Sequence, residues 1–245
     1  MSMRMSEISY AYGSVMALDD VSFELAPGVT ALLGVNGAGK STLLSVGAGL
    51  LAPRTGTAMV SSRSLFARRE RKEALRSIAF MPQQVTFPSV LTARDVVAYS
   101  GWLKGMSGGR ADRRARECLV AVGLEEKMDR KCADLSGGMI RRVALAQALV
   151  SEPEVLLLDE PSTGLDPEQR RGMVELIRGL PGTVLMSSHV VEDVADLAET
   201  VLILDEGRLV FNGTMDQLVS GLPDNGRRSP VEAGFLRAIG RKAGA

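Results

Sequence analysis

The sequence predicts an α/β fold with parallel strands at its centre, and three observations lead to this expectation. Val29–Leu33 and Val155–Leu158 are short, largely apolar runs, which favours strands that are covered on both faces. Gly34–Thr42 is rich in glycine and joins the first of these runs to a helical pattern. The 245 residues, 45% hydrophobic but only 4% aromatic, suit one α/β domain with a core of Val, Leu and Ala.

The N-terminal part of the chain is predicted to form strands. Residues 7–33 alternate in polarity, and Ile8, Tyr10 and Tyr12 share one parity. Pro27-Gly28 marks a turn just before the first apolar run.

The glycine-rich stretch Gly34–Thr42 fits the pattern Gly, four residues, Gly-Lys-Ser/Thr. Glycines let successive N–H groups converge on phosphate oxygens, and a helix that starts near Lys40 adds its positive end. Lys40 would reach the β- and γ-phosphates, and Ser41 Oγ can ligate Mg²⁺. We expect the nucleotide to be contacted by Gly34, Asn36, Gly37, Ala38, Gly39, Lys40, Ser41 and Thr42. A glycine-rich turn that happens to precede a lysine is the alternative, but the flanking strand and helix favour nucleotide binding.

Tyr12 lies shortly before this loop. An aromatic side chain there could stack on adenine. The alternative is a strand tyrosine that packs on a sheet face, and the sequence leaves both interpretations open.

The segments that follow are interpreted as a helix, a strand and a charged run. We expect the helix to continue over residues 42–51 and to end at Pro53. Gly56–Ser62 is then a candidate strand. Arg63–Arg76 is helix-like and charged, which usually indicates a solvated face; a nucleic-acid patch is the alternative.

Ile78–Met81 is predicted to be a further strand, and Gln83 follows it where open α/β sheets place ligand contacts. The character of the chain then changes. Over residues 85–134 we expect short helices at 92–104 and 110–122, which resemble a helical insertion into the α/β core.

Leu135–Gly138 is predicted to open an amphipathic helix that Pro153 closes, with Val143 and Ala144 on its apolar face. A Ser-Gly-Gly sequence at a helix N-terminus is a possible second anion site. Alone it is a weak signal, because a serine N-cap after a loop is common.

Two adjacent acids, Asp159 and Glu160, stand at the tip of the apolar run Val155–Leu158. Buried carboxylates are costly unless they have partners, so this position calls for a reason. Asp159 could hold Mg²⁺ through its water shell, and Glu160 could deprotonate the attacking water. A purely structural acid pair is the alternative.

Ser162–Pro167 predicts a tight turn and a helix start, because Pro follows Asp at the first helical position. Thr183–Met186 predicts another strand, and His189, the only histidine, follows it. His189 would then occupy the position on its strand that Gln83 and Glu160 occupy on theirs. We therefore expect three strand tips to converge on one phosphate site.

The rest of the chain carries less information about function. Val201–Leu204 and Arg208–Phe211 predict a hairpin. A short helix and a basic tail follow Gly213, and residues 222–245 contain no motif.

Composition narrows the function class. Lys plus Arg and Asp plus Glu are both 29, so the net charge of zero argues against a whole-molecule field for nucleic acid. Cys118 and Cys132 predict reduced thiols rather than a metal site. Met1–Glu7 lacks the apolar run of a secretory signal, and no apolar stretch approaches the roughly 20 residues that span a bilayer. Any work at a membrane is expected from the cytosol and through a partner.

Taken together, these motifs resemble the ATP-binding subunit of an ABC transporter over roughly residues 5–220. The family's motifs occur here in its own order: the phosphate loop Gly34–Thr42, the Q-loop Gln83, the signature Leu135–Met139, the Walker B pair Asp159-Glu160, the D-loop Ser162–Asp166 and the H-loop His189. Tyr12 matches the adenine-stacking aromatic of that family.

This resemblance implies a P-loop NTPase (RecA-like) core with a mainly parallel sheet, an N-terminal antiparallel β subdomain and an inserted α-helical subdomain. The ATP-binding domain would cover residues 1–221, with the helical subdomain at about 85–152. Residues 222–245 would be a C-terminal extension.

The resemblance also implies a Mg²⁺-dependent ATPase. The catalytic residues would be Glu160, His189, Gln83 and Lys40. Nucleotide contacts beyond the phosphate loop would come from Tyr12, Gln83, Ser136, Gly137, Gly138, Asp166 and His189. The metal ligands would be Ser41, Gln83 and Asp159.

Two such subunits would pair head to tail, each signature capping the ATP of the other, and a separate polytopic membrane subunit would be driven from the cytoplasmic face of the cell membrane. Met139 stands where the signature more commonly has glutamine. Met139 followed by Arg141-Arg142 resembles the exporter branch whose membrane subunits are separate chains.

Three other classes of protein fit these motifs less well. A soluble ABC ATPase acting on nucleic acid or a macromolecular assembly often has coiled-coil insertions, two ATPase halves or a strongly basic surface, which this chain does not clearly have. A regulatory module without catalysis would be expected to lack Glu160, Gln83 or His189. A small-molecule kinase would not explain Leu135–Met139.

Overall fold

The computed structural model describes residues 3–195, 197–221 and 229–240. The strands are β1 Met3–Tyr12, β2 Val15–Leu25, β3 Gly28–Leu33, β4 Thr55–Val60, β5 Arg63–Ser64, β6 Ile78–Met81, β7 Val155–Asp159, β8 Thr183–Ser188, β9 Thr200–Asp205 and β10 Arg208–Thr214. The helices are α1 Lys40–Gly47, α2 Arg71–Arg76, α3 Ala93–Leu103, α4 Gly108–Ala121, α5 Gly137–Leu149, α6 Pro167–Arg178, α7 Glu192–Ala195, α8 Met215–Val219 and α9 Pro230–Ala238. Short 3₁₀ turns cover Glu125–Lys127 and Cys132–Asp134.

Within the described ranges the strands form two sheets. The first is antiparallel, with strand order β2-β1-β4-β5. The second has the order β10-β9-β3-β8-β7-β6, and its neighbouring strands are parallel except for the antiparallel pair β9 and β10. The predicted α/β fold with a mainly parallel sheet and an N-terminal antiparallel unit is confirmed.

The six-stranded sheet separates two apolar clusters, which explains why Val155–Leu158 of β7 is apolar throughout. Leu156 and Leu158 face a cluster formed with the helices α3, α4, α5 and α6. Val155 and Leu157 face a cluster formed with α1 and the antiparallel sheet. Because both faces are covered, these four positions have no reason to be polar.

The helical layer is joined to the sheet by a half-buried lysine. Lys104, which follows α3, donates to Leu75 O and to Ile78 O, both at 2.7 Å. Burial lowers the pKa of this ammonium group. At the other end of α3, the Thr92 hydroxyl lowers the pKa of Asp95 within a capping box. The helices predicted at 92–104 and 110–122 are confirmed as α3 and α4.

Three local predictions need correction. The helix predicted to extend over residues 42–51 ends at Gly47, six residues before Pro53, and Gly49 takes a left-handed φ of 70°. The charged run Arg63–Arg76 is helical only from Arg71. The Arg71 guanidinium is not merely solvated, because it donates to Leu65 O at 3.0 Å and to Gly49 O at 2.9 Å.

The third correction concerns α5, which is less one-sided than its sequence predicted. Residues 143–146 are all buried, so this part of the helix is covered around its whole circumference. The helix also ends at Leu149, and Pro153 lies beyond it. Contacts with α3 and α4 on one side and with β6 on the other explain the burial.

The predicted hairpin is present as β9 and β10, joined by Glu206 and Gly207 with positive φ. At the end of the described chain, α9 packs on α8, and Arg237 donates to Leu218 O at 2.8 Å and to Ser220 O at 2.9 Å. The sequence contains no motif in residues 222–245, of which 222–228 and 241–245 lie outside the described residues. None of the helices in the described residues has both the length and the apolar character that a membrane crossing needs.

Candidate functional site

The loop between β3 and α1 is shaped by close backbone approaches. Gly39 has a φ of 104°, and a Cβ atom there would lie 2.5 Å from Ala17 O. Ala38 N donates to Val35 O at 3.1 Å, while Ala38 O accepts from Gly207 N at 3.0 Å. A side chain at position 39 would therefore clash with the main chain of β2, which is why the loop needs glycine there.

The buried side chain of Lys40 folds back onto the same loop. Its Nζ donates to Gly34 O at 2.7 Å and to Val35 O at 3.1 Å. Burial lowers the pKa of this ammonium, whereas the nearby carboxylates of Glu160 and Asp159 raise it. An ammonium has three N–H donors, so these two carbonyls leave one donor for a phosphate oxygen.

Asp159 and Glu160 are connected through one serine at the end of the neighbouring strand β8. The Ser187 hydroxyl donates to Asp159 Oδ1 at 2.6 Å and accepts from Glu160 N at 2.9 Å. Asp159 and Ser187 are also register partners between β7 and β8. Ser187 thus supplies a partner to one buried carboxylate and fixes the backbone of the next residue.

The carboxylate of Glu160 is the point where several elements meet. Its Oε2 atom accepts from Gln83 Nε2 at 2.9 Å and from Thr163 Oγ1 at 2.9 Å, and it lies 3.1 Å from His189 Nδ1. The residue is only 8% exposed. The ends of β6, β7 and β8 therefore converge here, as the positions of Gln83, Glu160 and His189 in the sequence predicted.

Sequence reasoning assigned no role to some of these partners. Ser187 directly follows the predicted strand Thr183–Met186, and Thr163 lies within the predicted turn Ser162–Pro167. A second buried contact, from Ser162 Oγ to Asp193 Oδ2 at 2.8 Å, joins the turn after β7 to α7. The available signal was weak, because a hydroxyl at a strand tip becomes informative only when its neighbour in the sheet is known.

The predicted signature lies on a helix of the opposite layer from α1. Ser136 is the N-cap of α5, and its Oγ accepts from Met139 N at 3.3 Å. Ser136 and Gly137 are exposed, whereas Gly138 is buried against α6, where a Cβ atom would meet Gln169 Oε1. The helices α1 and α5 pack on opposite faces of the six-stranded sheet.

Two further predicted contact residues lie at exposed positions. The Tyr12 ring is 53% exposed and meets Tyr10 edge to face, with ring centroids 5.0 Å apart. One side of the ring is therefore accessible to a planar ligand. Asp166 caps α6 through bonds from Glu168 N and Gln169 N at 3.1 and 2.9 Å.

The residues predicted to bind Mg²⁺ have the chemistry that this ion prefers. Asp159 uses Oδ1 for the Ser187 hydroxyl, and the Ser41 hydroxyl is at the exposed start of α1. No group of three His, Cys, Asp or Glu side chains able to hold a metal lies together in the part of the chain that the structure describes. Mg²⁺ usually takes one or two carboxylates and completes its shell with phosphates and water, and Asp159 is a carboxylate of this kind.

Comparisons with known proteins agree on one family. The family model described as ABC transporter matches residues 18–163. The linearmycin resistance ATP-binding protein LnrL of Bacillus subtilis (strain 168) is 36% identical over 219 residues, which cover 88% of this chain and 70% of the relative. The Nod factor export ATP-binding protein I of Paraburkholderia xenovorans (strain LB400) is 35% identical over 218 residues, which cover 87% and 71%.

Among solved structures, a dimeric ATP-binding cassette in a post-hydrolysis state, bound to ADP and Pi, is similar to this chain. The TM-score is 0.77 at 27% sequence identity, and the alignment covers 87% of this chain and 98% of that one.

Proposed function

This chain belongs to the ABC transporter family as an ATP-binding, ATP-hydrolysing subunit, and from that premise we propose that it drives export by a separate membrane-spanning subunit. The observation that carries the catalytic part of the proposal is the Glu160 carboxylate, with Gln83, Thr163 and His189 around one oxygen. The substrate of the reaction is ATP.

The chain's own groups would divide the chemistry as follows. The backbone of Gly34–Thr42 and the Lys40 ammonium would hold the phosphates. Glu160 would orient the attacking water and accept its proton, while Gln83 and His189 hold the carboxylate in place. A Mg²⁺ ion held by Ser41, Asp159 and Gln83 would neutralise charge on the phosphates.

The active form would be a dimer, made either of two copies of this chain or of one copy and a similar ATP-binding subunit. Ser136 and Gly137 are exposed at a helix N-terminus, which suits an anion from another molecule. The dimeric cassette among the structural relatives supports the same arrangement. Each signature would then cap the ATP of the other subunit, head to tail.

An apolar groove supports a membrane-subunit partner. A cavity of about 430 Å³ lies between the end of α1, β6 and α3, and Leu50, Leu75 and Leu103 are among its lining residues. Next to it, Tyr99 and Trp102 stack with ring centroids 5.8 Å apart, and both rings are more than half exposed. Exposed apolar surface of this kind marks interaction sites. We place the chain on the cytoplasmic face of the membrane, attached through this partner.

The export direction rests on the relatives and on Met139. One relative is a resistance protein and another a Nod factor export protein by name. We expect no nucleic-acid partner, because the net charge is zero. A salt-sensitive shift of labelled RNA or DNA by the pure chain would contradict this expectation.

The test of the proposed function is Glu160→Gln. Loss of the general base should reduce ATP hydrolysis by about 10²- to 10⁴-fold, while ATP binding is kept and the variant accumulates as an ATP-bound dimer. Phosphate release and size-exclusion chromatography with ATP measure the two effects. Glu168→Gln is the matched control, because it makes the same charge change at an exposed position of α6. Hydrolysis at the wild-type rate in Glu160→Gln would refute the catalytic assignment.

A further inference from the structure

Glu160 adopts a backbone conformation that its side chain disfavours. Its φ of 47° lies in the left-handed region, which is disfavoured for a residue with a Cβ atom. Such conformations persist only where the surroundings determine them. The groups that hydrogen-bond to the Glu160 main chain are therefore candidates for controlling the direction of its carboxylate.

The contacts of this main chain come from three directions. The amide N–H donates to Ser187 Oγ at 2.9 Å. The carbonyl oxygen accepts from Thr163 N at 3.2 Å and from the Arg141 guanidinium at 3.3 Å. Ser187 and Thr163 belong to the sheet edge and its turn, whereas Arg141 reaches across from α5.

Arg141 is suited to hold this carbonyl. It is partly buried, and burial lowers the pKa of its guanidinium while the Glu160 carboxylate raises it. Arginine stays charged under these conditions. A charged donor to a carbonyl forms a stronger bond than a neutral one. Its neighbour Arg142 points elsewhere and donates to Val122 O at 3.0 Å, so the two arginines have different tasks.

We propose that Arg141 is a positioning residue for ATP hydrolysis: its guanidinium holds the main chain of Glu160 so that the carboxylate faces the attacking water. The inference rests on the proposed role of Glu160. It links the main chain of Glu160 to α5, which carries Arg141 and begins at Ser136 and Gly137. Arg141 touches neither the nucleotide nor the water in this scheme.

Arg141→Gln in the full chain tests the proposal, with Arg142→Gln as the matched control. We expect Arg141→Gln to lower kcat for ATP by about tenfold, the rate equivalent of one hydrogen bond from a charged donor. The KM for ATP and the affinity for a fluorescent ATP analogue should stay within about twofold, because the phosphate loop is untouched. The kcat of Arg142→Gln should stay clearly closer to the wild-type value than the kcat of Arg141→Gln does.

Arg141→Lys covers the case in which the glutamine variant folds poorly. It keeps a charged donor, so it should recover part of the lost kcat if the role is to hold the carbonyl. A kcat for Arg141→Gln equal to wild type would overturn the inference, as would an equal loss in Arg142→Gln or a loss carried by KM alone. If Glu160→Gln hydrolyses ATP at the wild-type rate, the proposed function itself is refuted. If Arg141→Gln does so while Glu160→Gln does not, only the inference about Arg141 is refuted.

Discussion

The two regions that we propose to bind phosphate are built in opposite ways. Lys40, Asp159 and Glu160 are each less than a tenth exposed, and their side chains hydrogen-bond to Gly34 O, to the Ser187 hydroxyl and to the exposed Gln83, respectively. At the start of α5, Ser136 and Gly137 are exposed, and the Ser136 hydroxyl serves only its own helix. The first region is complete within one chain, whereas the second presents its donors outward.

This difference has a physical consequence for how each region responds to change. A buried, bonded network transmits the loss of one member to the others, because the remaining groups cannot turn to water. An exposed helix N-terminus tolerates small changes in the free chain and suffers only when something binds to it. Substitutions that affect folding and those that affect association should therefore separate by region.

The largest effect is expected in the first region, from Lys40→Ala compared with His189→Ala. Lys40→Ala removes the phosphate-binding cation and should weaken nucleotide binding as well as hydrolysis. His189→Ala removes a partner of the Glu160 carboxylate and should reduce hydrolysis by about 10²-fold or more while sparing affinity. Titration with a fluorescent ATP analogue, together with phosphate release, separates the two. Equal affinity losses in both variants would contradict this division of roles.

Gly137→Ala tests the exposed region separately, because it adds a methyl group there without a clash inside the chain. No atom lies within 4 Å of the position that a Cβ would take at Gly137 in the described structure. The free chain should keep its melting temperature, since alanine favours a helix. If Ser136–Gly138 caps the partner's ATP, the extra methyl group should weaken ATP-dependent dimerisation and hydrolysis by about tenfold or more.

The control for that prediction is Gly138→Ala, because a Cβ there would meet Gln169 Oε1 within the same chain. This variant should also lower the melting temperature. Size-exclusion chromatography with ATP measures dimerisation of Gly137→Ala in the Glu160→Gln background. If this double variant dimerises as well as Glu160→Gln alone, the exposed region does not belong to the ATP-binding interface.

The smallest effect concerns Ser187, which connects the two acids. Ser187→Ala leaves the Glu160 amide and Asp159 Oδ1 without their partner, at a cost of about 1–3 kcal/mol to the free energy of unfolding. Chemical denaturation measures this change. Ser188→Ala is a suitable neighbour for reference, since the Ser188 hydroxyl bonds only locally, to Val190. A Ser187→Ala chain as stable as Ser188→Ala would show that water replaces the lost hydroxyl.

Much of the fold was predictable because local patterns carried it. Apolar runs of strand length, the glycine spacing of Gly34–Thr42 and the proline after Asp166 each report a conformation that depends mainly on neighbours in the chain. The errors arose where local patterns were ambiguous. The helix after the phosphate loop ended at Gly47 rather than near Pro53, and Arg63–Arg76 contained a two-residue strand.

The class of chemistry could be inferred before folding was considered, because the spacing of Gly34–Thr42 and the order of the motifs after it are properties of the chain. The folded chain was needed to show which groups share the Glu160 oxygen, that Ser187 connects the acids and that Arg141 reaches the Glu160 carbonyl. The physical reason is distance along the chain. Gln83 and Glu160 are 77 residues apart, and parallel strand pairing, not local propensity, brings their strand ends to one edge.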